Sequence, residues 1–172
     1  TGGFTEVLIS RNAKKIFCVD VGTNQLHPKL KNHSQIVNLE KTHVRELSTN
    51  LIPEQVDGLV VDVSFISLEK VIPFVHSFVK SDSPAILLIK PQFEVGRERL
   101  GAGGVVRDPA LRKSAVLDVA TSAYDVGLGT KGVVASSLPG PAGNVEYFLW
   151  LKRGAQEISE IDLEKAIEIG PQ

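Results

Sequence analysis

Short apolar runs alternate along this chain with longer stretches in which apolar positions return every three or four residues. The first pattern suits buried strands and the second suits amphipathic helices, so the alternation predicts an α/β domain with a mostly parallel sheet. A helix is expected over residues 3–11, then the strand KIFCVD at 15–20, a short helix near 24–31 and the strand QIVNL at 35–39. The runs VDGLVVDV (56–63) and AILLIK (85–90) are apolar apart from their charges, as inner strands covered on both faces should be. Between them, Leu68, Val71, Ile72, Val75, Phe78 and Val79 mark one stripe of a helix from Ser67 to Lys80, bent at Pro73.

The second half continues the alternation. Residues 94–107 mix glycine with charge and are expected to form an exposed loop. Asp108 and Pro109 supply an N-cap and a first helical position, opening a helix to about Tyr124. Strands at 131–137 and 145–152 enclose the loop LPGPAGN, and the acidic stretch 153–172 holds a short helix from Ser159 to Ile169.

Composition narrows the class. With 42% hydrophobic and 23% charged residues, the 172-residue chain can bury a core of its own. Its single cysteine, Cys18, excludes an internal disulfide and suits a reducing compartment. No apolar run approaches the ~18 residues of a membrane helix, so no membrane partner is expected. The net charge of −1 conceals a segregation: residues 153–172 hold two basic and five acidic residues, leaving 17 basic against 15 acidic before them. None of His27, His33, His43 and His76 is spaced with another to bind a metal, and Cys18 has no neighbouring ligand. Ser64 and Ser67 lack the G-x-S-x-G elbow of a hydrolase nucleophile.

The candidate chemistry sits where apolar runs end. In open α/β sheets ligands bind beyond the carboxyl ends of the strands, and three runs close on a charge: Asp20, Asp62 and Lys90. Asp20 follows the pair Gly2-Gly3 by about twenty residues, the separation at which an acid accepts hydrogen bonds from ribose hydroxyls. A strand-end acid capping the next helix is the simpler reading. The glycines do not fit the G-x-G-x-x-G spacing of nicotinamide dinucleotide folds. A lysine held by an acid can stabilise a developing oxyanion, and Asp62 with Lys90 could also be a structural ion pair. Glu146, within NVEYFLWL, faces either a polar cleft or solvent.

Taken together, TGGFTEVLISRNAKKIFCVDVGTNQL, VVDVSFISL, LIKPQFEVGRE, GGVVRDP and GPAGNVEYFLWL resemble the hemolysin A (TlyA) family of FtsJ-like ribose 2′-O-methyltransferases. The resemblance implies a Rossmann-like, doubly wound sheet of seven strands with the last antiparallel. It implies a methyltransferase domain over 1–153 and an acidic tail over 154–172. The implied cofactor is S-adenosyl-L-methionine, and the implied partner is ribosomal RNA or a ribosomal subunit. Of a Lys-Asp-Lys-Glu catalytic set, Asp62, Lys90 and Glu146 match. Gly2, Gly3 and Phe4 match the end of the cofactor motif, Asp20 the ribose-binding acid, and Glu40, Lys41 and Thr42 the adenine pocket, with Asp62 also at the cofactor. The first catalytic lysine, the first strand and an S4-type RNA-binding domain are expected upstream of Thr1. Arg97, Arg99, Arg107, Arg112 and Lys113 are the expected phosphate contacts, against the simpler reading of a solvated mixed-charge loop. The expected compartment is the cytoplasm, or an organelle if a targeting peptide lies upstream. A non-methylating RNA-binding or assembly module is the rival reading, and a hemolysin-like membrane activity a distant third.

Overall fold

A computed structural model of the chain describes residues 2–170. The chain divides into two compact units, Thr1–Glu54 and Gln55–Gln172.

In the first unit, α1 (Gly3–Ser10) begins at Gly2, whose φ of 93° is left-handed. A Cβ on Gly2 would lie 2.6 Å from a Leu26 methyl and 2.7 Å from one of Leu30, so only glycine fits this entry. Thr1, the first residue of the opening TGGFT, lies outside the described residues. Strand β1 (Ile16–Val19) pairs in parallel with β2 (Ile36–Leu39), in the register Ile16 opposite Ile36 and Val19 opposite Leu39. The helix expected near 24–31 is only α2 (Pro28–Lys31), because Pro28 can enter a helix in its first turn but not extend one from upstream.

In the second unit, β3 (Leu59–Val61), α3 (Ile72–Val75), β4 (Ala85–Ile89), α4 (Pro91–Glu94), α5 (Pro109–Asp125), β5 (Leu128–Ala135), β6 (Tyr147–Arg153) and α6 (Glu160–Ile169) follow in order. Four strands form one sheet in the order β3-β4-β6-β5, with β3 parallel to β4 and β6 antiparallel to both its neighbours. The antiparallel last strand is as expected. The run 56–63 is strand over three residues only, with a lone bridge from Val56 to Val79.

The stripe expected at 67–80 is buried at Leu68, Val71, Ile72, Val75 and Val79, but the helix is not continuous. It is a 3-10 turn at Leu68–Lys70, then α3, then a second 3-10 turn at His76–Phe78. Pro73 lacks the N–H that would tie back to the preceding turn, so the chain bends inside the stripe and keeps only its buried face. Strand β5 starts at Leu128, three residues earlier than expected. Gly129 permits this, since a Cβ there would lie 1.9 Å from the Ala155 carbonyl oxygen.

The core lies between α5 and one face of the sheet. Ala115, Val116, Val119, Ala120 and Ala123 pack there, with Tyr147, Leu149 and Leu151 of β6 fully enclosed. Each buried valine or leucine of this set stabilises the fold by ~1.5–3 kcal/mol relative to exposure, and each alanine by less. On the opposite face Phe148 and Trp150 alternate outward, and with Ile86, Val134 and Ile169 they line an open groove. Among the described residues no helix is long and apolar enough to cross a membrane.

Candidate active site

Three strand ends of the second unit bring three charged side chains together. Asp62 follows β3, Lys90 follows β4, and the antiparallel pairing of Ile89 with Tyr147 sets Lys90 opposite Glu146. Lys90 Nζ lies 2.6 Å from Asp62 Oδ1; the lysine side chain is 14% exposed and that of Asp62 39%, so a mostly enclosed ammonium meets a carboxylate open to solvent. The same ammonium donates to Ser64 Oγ at 3.4 Å. Glu146 is 8% exposed and precedes β6 rather than lying inside it. Burial pushes its carboxyl above the ordinary range; the Lys90 charge opposes that shift, Asp62 adds to it, and a hydrogen bond from Gln92 opposes it. A Cβ on Gly140 would stand 2.7 Å from Glu146 Oε1, so the turn before β6 packs directly on the carboxylate.

Two residues that sequence reasoning did not single out border this cluster. Phe65 is 91% exposed and has φ of 63°, a left-handed backbone that a bulky side chain rarely adopts. Its ring meets Phe93 with centroids 5.1 Å apart, in a tilted arrangement. Glu94, also beside this segment, accepts the Leu68 N–H at 3.1 Å, and burial raises its pKa. Neither backbone sign at Phe65 nor the reach of Glu94 has a signature in composition or spacing.

The expected phosphate contacts separate. Arg97, Arg99 and Arg107 are exposed on the segment between α4 and α5. Arg112 is not available: it is 2% exposed on the inner face of α5, beside Tyr147. Its position repeats at Ala115, Val116 and Val119, so the helix that carries it turns it into the core. Lys113 is engaged by Glu160 at 3.3 Å and Glu164 at 3.0 Å, which ties α5 to α6. The segment 94–107 is also less free than a solvated loop, since Val95 and Val106 are buried against Ala115.

In the first unit Asp20 and Glu40 stand just past the carboxyl ends of the paired strands β1 and β2. Asp20 accepts the Gly22 N–H at 2.7 Å. The Thr42 N–H donates to the Asp20 carbonyl at 3.0 Å and the Lys41 N–H to the Gly22 carbonyl at 3.1 Å, which fastens the two acid-bearing turns together. Glu40 is held below the ordinary carboxylate range by the Asn24 backbone N–H and the Asn38 side chain. Gly3 opens α1 with nothing within 4 Å of where its Cβ would be. Acids at adjacent strand ends and an uncovered glycine turn fit a nucleoside bearing a diol. Phe4 lies in the first turn of α1, and Lys41 has a left-handed backbone, φ 53°. Among the described residues no group of three or more His, Cys, Asp or Glu side chains could hold a metal ion.

A protein-family model described as FtsJ-like methyltransferase matches residues 1–153. The chain belongs to the FtsJ-like methyltransferase family. It is 48% identical, over 97% of its length, to the 16S/23S rRNA (cytidine-2′-O)-methyltransferase TlyA of Mycobacterium tuberculosis. It is 36% identical, over 87% of its length, to the 23S rRNA (cytidine-2′-O)-methyltransferase TlyA of Campylobacter jejuni. The chain spans 63% of the first relative and 58% of the second. A solved structure from Lactococcus lactis, described as a hemolysin, superposes with a TM-score of 0.90 at 35% identity, covering 98% of this chain and 82% of that one. The N-methyltransferase NodS of Bradyrhizobium japonicum, solved with S-adenosyl-L-homocysteine, shares the fold at a TM-score of 0.58 and 16% identity, over 89% of this chain and 73% of its own. The α/β architecture expected from the alternating pattern, and its Rossmann-like form implied by the resemblance, are therefore those of a methyltransferase family.

Proposed function

We propose that the protein transfers a methyl group from S-adenosyl-L-methionine to a ribose 2′-hydroxyl of ribosomal RNA. The observation that carries this reading is the mostly enclosed Lys90 ammonium paired with Asp62 and set beside the buried Glu146, in an FtsJ-like chain. The cofactor supplies an electrophilic methyl when bound. Asp20 would accept hydrogen bonds from its ribose hydroxyls, Glu40, Lys41 and Thr42 would line its adenine, and Gly2, Gly3 and Phe4 would form the turn against it.

The other steps belong to the second unit. Lys90 Nζ donates to the 2′-oxygen as negative charge develops there, and Asp62 fixes the direction of the ammonium. At ~4 Å and an effective dielectric of ~20, such a charge is worth about 4 kcal/mol before desolvation. Glu146 takes the hydroxyl proton; its raised pKa makes it a better acceptor than an ordinary carboxylate. Phe65 offers an uncovered ring to a nucleobase, and Arg97, Arg99 and Arg107 offer charge to phosphates. The 1–153 region would form the methyltransferase domain.

The test is incorporation of labelled methyl into ribosomal RNA by the full-length protein. Lys90→Ala should reduce it by about two to three orders of magnitude while calorimetry shows S-adenosyl-L-methionine still bound. Full activity in Lys90→Ala would refute the assignment. Absence of cofactor binding in the unaltered protein would favour a non-methylating RNA-binding module.

A further inference from the structure

Asn144 sits two residues before Glu146 and is 2% exposed, an unusual place for a carboxamide unless all its polar atoms are used. They are used on one target. Its Oδ1 accepts the Val106 N–H at 2.9 Å and its Nδ2 donates to the Gly104 carbonyl at 3.1 Å. Its own carbonyl accepts the Gly140 N–H at 2.8 Å, closing the turn whose glycine packs on the Glu146 carboxylate. The bound segment needs such a partner. Gly103 and Gly104 have φ of 75° and 73°, and neither would meet a neighbour if given a Cβ. Glycine gains that backbone at an entropic cost, and the local bonds that hold it are the Gly104-to-Gly101 and Gly101-to-Val105 turns and a long contact from the Arg107 guanidinium to the Ala102 carbonyl at 3.4 Å. Arg97 and Arg99 lie on one side of this glycine turn and Arg107 on the other.

We infer that Asn144 is a positioning residue that locks the arginine-bearing segment 97–107 onto the turn leading into Glu146, so that RNA held by the arginines is presented to the catalytic carboxylate. This role rests on the methyl-transfer reading above and adds to it a residue that touches neither substrate nor cofactor. The carboxamide reads two backbone groups of one turn at once, and among the described residues no other side chain duplicates either bond. Without it the half-buried Gly104 carbonyl and the buried Val106 N–H lose their partner and the glycine turn reverts to many conformers.

The experiment is a double-mutant cycle in the full-length protein, comparing Asn144→Ala with the combined Arg97→Gln, Arg99→Gln and Arg107→Gln variant. Asn144→Ala should raise KM for ribosomal RNA about tenfold, with kcat changed by less than about threefold and S-adenosyl-L-methionine affinity unchanged. Added to the arginine variant it should cost less than about twofold further, because both changes remove one interaction. Amide hydrogen exchange at Val106, measured without RNA, should accelerate about tenfold or more. Additive effects on KM, or an unchanged Val106 exchange rate, would overturn the role. If Asn144→Ala does not fold, Asn144→Leu, which is similar in size and lacks both the acceptor for Val106 and the donor for Gly104, takes its place with the same criteria. An unaltered protein that neither methylates nor binds ribosomal RNA overturns the underlying reading, and the exchange arm then reports on the staple alone.

Discussion

Replacing Gly140 by alanine should separate catalysis from stability. The backbone at Gly140 is outside the left-handed region, so alanine is conformationally allowed there. The added methyl would sit 2.7 Å from Glu146 Oε1, where ordinary contact begins at 3.4 Å, so the carboxylate must move by about 0.7 Å. The other close group, the Asn144 carbonyl oxygen, is at 3.6 Å and is not disturbed. A carboxylate at the end of a flexible side chain can rotate away at small cost to folding, and loss of glycine entropy offsets it by about 0.4–1 kcal/mol. The melting temperature should therefore stay within about 3 °C of the parent. Catalysis has no such tolerance, since displacing a reacting group by about 1 Å can cost about a hundredfold. The assay is single-turnover methyl transfer at saturating RNA alongside thermal melting. A loss of about tenfold to a hundredfold at unchanged stability is expected. An unchanged rate would refute the view that Glu146 acts from its position against Gly140.

Three further predictions follow from the same geometry. Burial raises the Glu146 pKa, so its contribution to stability is complete below the unfolded value and is lost as pH rises through the folded one; activity, needing the ionised form, should show an acid limb above the ordinary carboxylate range. A pH–rate profile checks this, and Glu146→Gln should abolish the limb together with most of the rate. Phe65→Gly should relieve a left-handed backbone worth about 1 kcal/mol and give up the Phe93 ring contact of about 0.5–1.5 kcal/mol, leaving the melting temperature within about 3 °C of the parent while lowering ribosomal RNA methylation. Arg112→Ala, which empties a buried position on α5, should destabilise the fold by about 2 kcal/mol or more in denaturant melts and leave the salt dependence of RNA binding unchanged, whereas Arg97→Gln should reduce that slope by about 1.

Much of this was legible in the chain, and the failures have physical causes. Asp20, Asp62 and Lys90 could be picked out because charges that end apolar runs need partners, but no spacing rule could show whether Lys90 meets Asp62. Its 2.6 Å partnership depends on the parallel pairing of β3 with β4. Glu146 was ambiguous for a similar reason, since its direction follows from the antiparallel sense of β6, a property of topology rather than of the local run. Arg112 was misassigned to the exposed loop although the helix expected from Asp108 already contained the answer: Arg112, Ala115, Val116 and Val119 share one face. The stripe at 67–80 was right about burial and wrong about regularity, because amphipathic spacing survives a proline that helical hydrogen bonding does not. Asn144 and Phe65 were invisible. One acts through a contact 38 residues away along the chain and the other through the sign of a dihedral angle.

Trp150 gives the chain a built-in optical probe. It is the single tryptophan in the sequence and is 45% exposed on the outward face of β6, beside Phe148 and Val134. An indole in that setting emits at long wavelength and is open to collisional quenchers. Whatever covers the apolar side of the sheet will shift that emission to the blue and shield it, with no label attached. Substitutions at Lys90, Gly140 or Asn144 that spare the sheet should leave the spectrum as it was. One emission scan would thus report whether the sheet survived a change at the strand ends.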